Sequence, residues 1–225
     1  FGLSAAVGLE PPEQLFSNSG RQIDGWRAQL PMFAPAIRAK YAPGAAALGV
    51  FSNRDMVDLY AQVLDDPDAP DAMKTQAENL GNAYTASDDS GKVSAMASIW
   101  GAERADADYL AALVMTARAA ALINPNSDHA GQADGLIASM LTAGLDRSAA
   151  RWSNIVSGGS LGWALVTLGA PGRVTLADYG DLDEFYGNDD SVDGHKSALL
   201  LAGLAGLGRV ESGARTEFAG DLKVN

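Results

Sequence analysis

The chain has 225 residues, no cysteine, 47% hydrophobic but only 7% aromatic residues, and a formal net charge of −12. That length suits one large domain or two small ones with a sizeable core, and a composition rich in Ala, Leu and Gly favours close-packed helices over a β-sandwich. The negative charge speaks against nucleic acid and against an anionic membrane surface, while the lack of cysteine excludes disulfides, thiolate zinc sites and cysteine nucleophiles.

The chain opens on Phe1 rather than Met, and its first cation is Arg21. The opening is therefore not an intact signal peptide, and the expectation is a processed or excised chain, with a periplasmic or secreted location favoured over a cytoplasmic one. Residues 1–52 are read as an irregular N-terminal segment packed on a larger body. A short helix is predicted near Ile23–Leu30, and Pro31, Pro35 and Pro43 each predict a break.

From residue 53 the apolar spacing is helical almost throughout. Ser52 or Asn53 is the expected N-cap of a helix carrying Met56, Leu59, Tyr60 and Val63 on one face. Met73, Ala77, Leu80 and Tyr84 mark the next, after Pro70 near its first turn, and Val93, Met96, Ala97 and Trp100 a third behind acidic capping residues. The stretch ADADYLAALVMTARAAALI is apolar on nearly every side and predicts a central helix ending at an Asn-Pro turn. Its apolar part, Tyr109–Ile123, is interrupted by Arg118 and falls short of the ~20 residues a membrane span needs, so no membrane insertion is expected.

A further helical pattern runs from about Asp128 to Val156, with a break near Gly144–Asp146. SLGWALVTLGAPG predicts a short apolar helix with Ser160 as its cap, closed by Gly169 and Pro171. Helical character is expected around Leu176–Phe185 and again in GHKSALLLAGLAGLGRV, where Leu200, Leu204 and Leu207 share a stripe beside small residues. Residues 211–225 show no stripe and read as a C-terminal tail or an edge strand. The expected fold is all-α: a helical-hairpin domain over 53–210, stacked either as an α-solenoid-like helical repeat or as an irregular multi-helix bundle. NLGNAY is similar to the opening of a tetratricopeptide repeat at Leu80, Gly81 and Tyr84. The similarity ends there, since Val93 stands where a small residue is due and no second copy follows.

Chemical signatures are sparse. Phosphate loops, dinucleotide fingerprints, HExxH and GxSxG are all missing, and with His129 and His195 the only histidines a three-histidine metal site is out of reach of this chain alone. His129 is expected in a first helical turn, solvated. The tryptophans are expected in the core, except Trp26, whose charged surroundings suggest the lining of a groove.

The densest chemistry lies in DYGDLDEFYGNDDSVDGHK, where seven carboxylates fall between Asp178 and Asp193, followed by Gly194 and His195. Asp189, Ser191 and Asp193 at alternate positions before Gly194 resemble the first half of an EF-hand calcium loop, but Leu200 occupies the place of the closing bidentate Glu. Three readings follow. The first is a helix N-terminus at which Asp190 to Asp193 cap the last helix and complement its dipole. The second is a calcium site at Asp189, Ser191 and Asp193, completed by oxygens from elsewhere such as Asp181 or Asp183. The third is a catalytic group of Asp183, Asp193 and His195 in a cleft between helices. No other cofactor is implied. The leading functional expectation is a non-enzymatic helical interaction or scaffold module with a protein partner, part of a larger protein or assembly. The alternative is a hydrolase or lyase using the acidic residues and His195.

Overall fold

The structure, a computed structural model, describes residues 2–7, 9, 12, 14, 22–101, 106–172 and 175–222; the side chains of Ala5, Asp106 and Ala107 are not among the parts described. The fold is all-α. Its helices are α1 (Gly2–Ala6), α2 (Gln22–Gln29), α3 (Pro35–Ala47), α4 (Asn53–Leu64), α5 (Asp71–Thr85), α6 (Asp89–Trp100), α7 (Asp106–Leu122), α8 (Ala133–Thr142), α9 (Asp146–Ala150), α10 (Leu161–Gly169), α11 (Tyr179–Gly187), α12 (His195–Leu207) and α13 (Ser212–Asp221). Short 3-10 turns at Ser127–Gln132 and Val192–Gly194 precede α8 and α12. Among the described residues the one β feature is an isolated parallel bridge between Ala177 and Val210.

The chain divides into two compact units, residues 1–123 and 124–225, so the boundary falls inside the stretch read from sequence as a single domain. In the first unit, α7 packs against α3, α4, α5 and α6. A solenoid repeat touches only its sequence neighbours, so this arrangement is an irregular bundle around a central helix. Met56, Leu59, Tyr60 and Val63 of α4 enter the core as their spacing predicts. Ser52 is the N-cap: its hydroxyl accepts from the Asp55 amide while the Asp55 carboxylate accepts from the Ser52 amide at 2.8 Å, a reciprocal capping box.

The described part of the segment 1–52 from residue 22 onward is more regular than Pro31, Pro35 and Pro43 suggest. Pro35 begins α3, where a missing N–H costs nothing, and Pro43 lies inside the same helix. Burial of Ala39, Tyr41, Ala42, Ala45 and Ala46 outweighs the interior proline. Asp66, which follows α4, reaches back to accept the Ala36 amide at 3.0 Å and so supplies α3 with the cap that Ala34 lacks. Asn53 is no cap. It is buried, and its amide donates to the carbonyls of Val114 and Met115, both at 2.8 Å, in the middle of α7.

In the second unit, the expected break is present. Gly144 takes φ +67°, a conformation that costs a residue with a Cβ, and lets the Leu145 amide reach the Met140 carbonyl at 3.0 Å. Two expectations are corrected. His129 is buried rather than solvated, at 6% exposure, because residues 127–132 form a 3-10 turn folded into the unit instead of a free first turn of α8. Residues 212–221, read as part of a tail, form α13. Its contribution to the core is only Ala214 and Phe218, too few positions to show as a stripe, yet Phe218 is fully buried with Tyr179 and Tyr186 edge-on at 6.3 and 6.0 Å. Leu200 and Leu204 of α12 are buried as expected, but Leu207 is exposed. At Gly203 a Cβ would lie 2.8 Å from Leu168 Cδ2, so its absence permits the approach of α12 to α10.

Candidate functional site

The acidic segment begins as a helix start. Asp178 caps α11, its Oδ1 accepting the Asp181 amide at 2.9 Å, while Asp181 Oδ2 accepts the Asp178 amide at 3.3 Å. Beyond α11 the chain turns at Asn188 and Asp189, and the second cap is built. Asp189 Oδ1 accepts from the amide and hydroxyl of Ser191 at 2.8 and 2.5 Å, and Oδ2 from the amide and hydroxyl of Ser197 at 2.8 and 2.6 Å. Ser191 Oγ in turn accepts the Lys196 amide at 3.0 Å. Two amides of the first turn of α12 are thereby satisfied from outside the helix. Burial alone would raise the Asp189 pKa, but the donors from Ser191 and Ser197 outweigh it and hold the carboxyl well below the ordinary carboxylate range.

Two consecutive left-handed residues make this geometry, Asp193 at φ 54° and Gly194 at φ 65°. Gly194 is also where a Cβ would lie 2.8 Å from Tyr186 Cε2. Of the stretch Asp190 to Asp193 read as the cap, only Ser191 caps α12, with Asp189 just outside it. Asp190 instead pairs with Lys196, which lowers the carboxyl pKa and raises that of the amine. Asp183, Asp193 and His195 are exposed. Of the three residues proposed for calcium, Asp189 and Ser191 are hydrogen-bonded to each other and to α12, while Asp193 stands in the left-handed turn. Among the described residues no group of three or more His, Asp or Glu side chains is gathered in the way a metal requires.

A separate feature has the dimensions of a ligand site. In the second unit a half-open cleft of about 540 Å³ lies between α10, the 150–158 segment and the chain leading into α11. Trp163, Val166 and Leu176 give it apolar walls, and Asn154, Thr175 and Asp181 bring polar groups. None of Asp183, Asp193 or His195 lines it. The catalytic trio read from the sequence is therefore not assembled around this cleft; Asp181, at the edge of the acidic stretch, is the carboxylate that lines it.

Long-range polar contacts hold the walls. Ser160 caps α10 by accepting the Trp163 amide at 3.1 Å, as its position predicts. Asp134 of α8 accepts the Gly162 amide at 2.8 Å, a second cap from 28 residues away. At the other end, the Arg209 guanidinium donates to the carbonyls of Thr167, Leu168 and Ala170 at 2.7, 2.8 and 2.8 Å, closing the C-terminus of α10 with a cation, where the helix dipole favours one. Gly158 and Gly159 pack flat against α11: a Cβ on Gly159 would lie 2.5 Å from Glu184 Cγ. No local pattern marks Asp134 or Arg209, since their partners are far away in sequence.

No protein-family model, curated protein or solved structure matches the chain.

Proposed function

We propose that the chain is a non-enzymatic helical interaction module that binds a protein partner through its first unit. The carrying observation is Trp26, 57% exposed on the short helix α2, with Leu48 and Val50, each 42% exposed, on the chain that returns from α3. Val50 lies against α2, its Cγ2 3.7 Å from the point a Cβ on Gly25 would occupy, which places apolar surface next to the tryptophan's own helix. Large exposed aromatics with aliphatic neighbours are the residues that anchor protein interfaces. The hydrogen bonding of the acidic segment supports the same reading from the other side. Asp178, Asp189 and Asp190 are engaged in capping helices or pairing with Lys196, work that a scaffold needs.

The test is site-specific photo-crosslinking in native extract. A photoreactive residue at position 26 or 48 is expected to give a discrete adduct that is absent when the probe sits at Glu78, and Trp26→Glu should abolish capture by the position-48 probe. A chain that stays monomeric, yields no adduct at either position and co-purifies with nothing overturns the proposal.

A further inference from the structure

We propose that the cleft of the second unit binds a small organic cation, with the Asp181 carboxylate as its counter-charge and Trp163 as part of its apolar wall. This site is independent of the protein-binding surface of the first unit. At about 540 Å³ the cleft falls within the range of roughly 300–1,000 Å³ typical of small-molecule sites. Its walls combine apolar surface from Trp163, Val166 and Leu176 with a few polar groups, the mix by which such sites fix orientation.

The charge class follows from Asp181. The residue is half-buried on the cleft wall, and among the described residues its hydrogen bonding is confined to the cap, with Oδ2 accepting the Asp178 amide at a long 3.3 Å. Among the described residues no lysine or arginine forms an ion pair with it. Gly158 forms the adjoining wall, and a Cβ there would stand 3.3 Å from Asp181 Oδ1 and 3.5 Å from Glu184 Oε2. Of these two carboxylates only Asp181 lines the cleft, beside the bare backbone of Gly158. An anion entering meets repulsion from Asp181, and a neutral hydroxyl gains a hydrogen bond there without the attraction between opposite charges. An ammonium group gains a charge-assisted hydrogen bond at Asp181, and an indole on the wall favours cations further. A primary amine carrying a ring or short aliphatic body fits both the volume and the charge.

The experiment uses the full chain and three probes of one shape, benzylamine, benzyl alcohol and benzoate, followed by protein NMR at the Trp163 indole and the amides of residues 150–181. Benzylamine is expected to shift these signals with at least tenfold higher affinity than benzyl alcohol, and benzoate to leave them in place. Asp181→Asn, which keeps an acceptor for the α11 cap, should remove the preference for the amine, while Asp183→Asn on the exposed side of the same helix retains it. If Asp181→Asn does not fold, the contrast between amine and alcohol on the unaltered chain still decides. Equal binding of the alcohol or benzoate, a preference that survives Asp181→Asn, shifts confined to other regions, or no binding of any probe each overturns the proposal.

Discussion

Ser197 holds Asp189 twice, through its backbone amide at 2.8 Å and its hydroxyl at 2.6 Å, both on the same carboxylate oxygen. Ser197 is fully buried, so this pair anchors the first turn of α12 from within the second unit rather than from its surface. Replacing Asp189 by Ala removes the acceptor of four donors and is expected to destabilise the unit by about 1–3 kcal/mol, with Asp189→Asn less costly. The folded-state pKa of Asp189 is depressed, so its contribution is fully present above the unfolded value of about 3.9 and is lost as pH falls through the lower folded pKa. Denaturant melts of the parent chain and Asp189→Asn should differ most above about pH 4 and converge on further acidification. A gap that widens with acid would contradict this.

The same saturation of Asp189 bears on calcium. A cation at this loop competes with four hydrogen bonds for the carboxylate's oxygens, and Leu200 offers no closing oxygen. Thermal midpoints measured in millimolar calcium and in chelator are expected to coincide. A rise of several degrees with calcium would show that the segment rearranges into the half-loop its spacing resembles.

Gly159 and Gly49 have nearly the same φ, +66° and +69°, in opposite surroundings. Nothing lies within 4 Å of a Cβ on Gly49, whereas on Gly159 it would stand 2.5 Å from Glu184 Cγ and 2.9 Å from the Glu184 backbone carbon. Gly49→Ala should therefore cost only the left-handed penalty of about 1–2 kcal/mol, and Gly159→Ala about 1–3 kcal/mol more. Urea midpoints of the two variants test the difference, and equal losses would mean the Gly159–Glu184 contact yields freely.

Asn53 links α4 to the middle of α7. Tyr84 assists, its hydroxyl donating to the Met115 carbonyl at 3.2 Å. Asn53→Ala removes one donor from each of two buried carbonyls that keep their helical partners, and is expected to cost about 1–2 kcal/mol, while Asn53→Asp, which sets a charge against those carbonyls, should cost more. Chemical denaturation of both variants gives the ranking; a milder effect for Asp would refute it.

Tyr179 donates to Asp221 at 2.9 Å, and this hydrogen bond, helped by burial and by the charges of Asp221, Asp183 and Glu217, pushes the phenol up to about 12 from an ordinary 10. Ultraviolet difference titration of the parent chain against Tyr179→Phe should isolate a phenolate appearing near that value. In an Asp221→Asn background the same difference should move back toward 10. No movement would show that the hydrogen bond is not what raises it.

Most helices were readable because their causes are local. The stripe Met56–Leu59–Tyr60–Val63 and the caps Ser52, Asp88 and Ser160 act within about four residues, the span of one helical turn. Pro43 misled because its penalty is local while the burial that outweighs it is tertiary. Phe218 was missed because a helix contributing two core positions has no period to detect. The acidic segment was legible as a place rich in carboxylates and as a helix start. It was not legible as a set of partners, because Ser197 lies inside the apolar run and gives no sign of facing back.

By itself, then, the amino-acid sequence determined an all-α chain and the positions of most of its helices. Only tertiary structure decided that the chain forms two units, that His129 is buried, and that Asp181 enters a cleft that Asp183, Asp193 and His195 do not line. It also decided that Asp66, Asp134 and Arg209 close helices 28 or more residues away. The reason is one of range: propensity, capping and amphipathic spacing act over a turn or two of helix. A cleft, or a carboxylate crossing to another helix, exists only once distant segments have packed against each other.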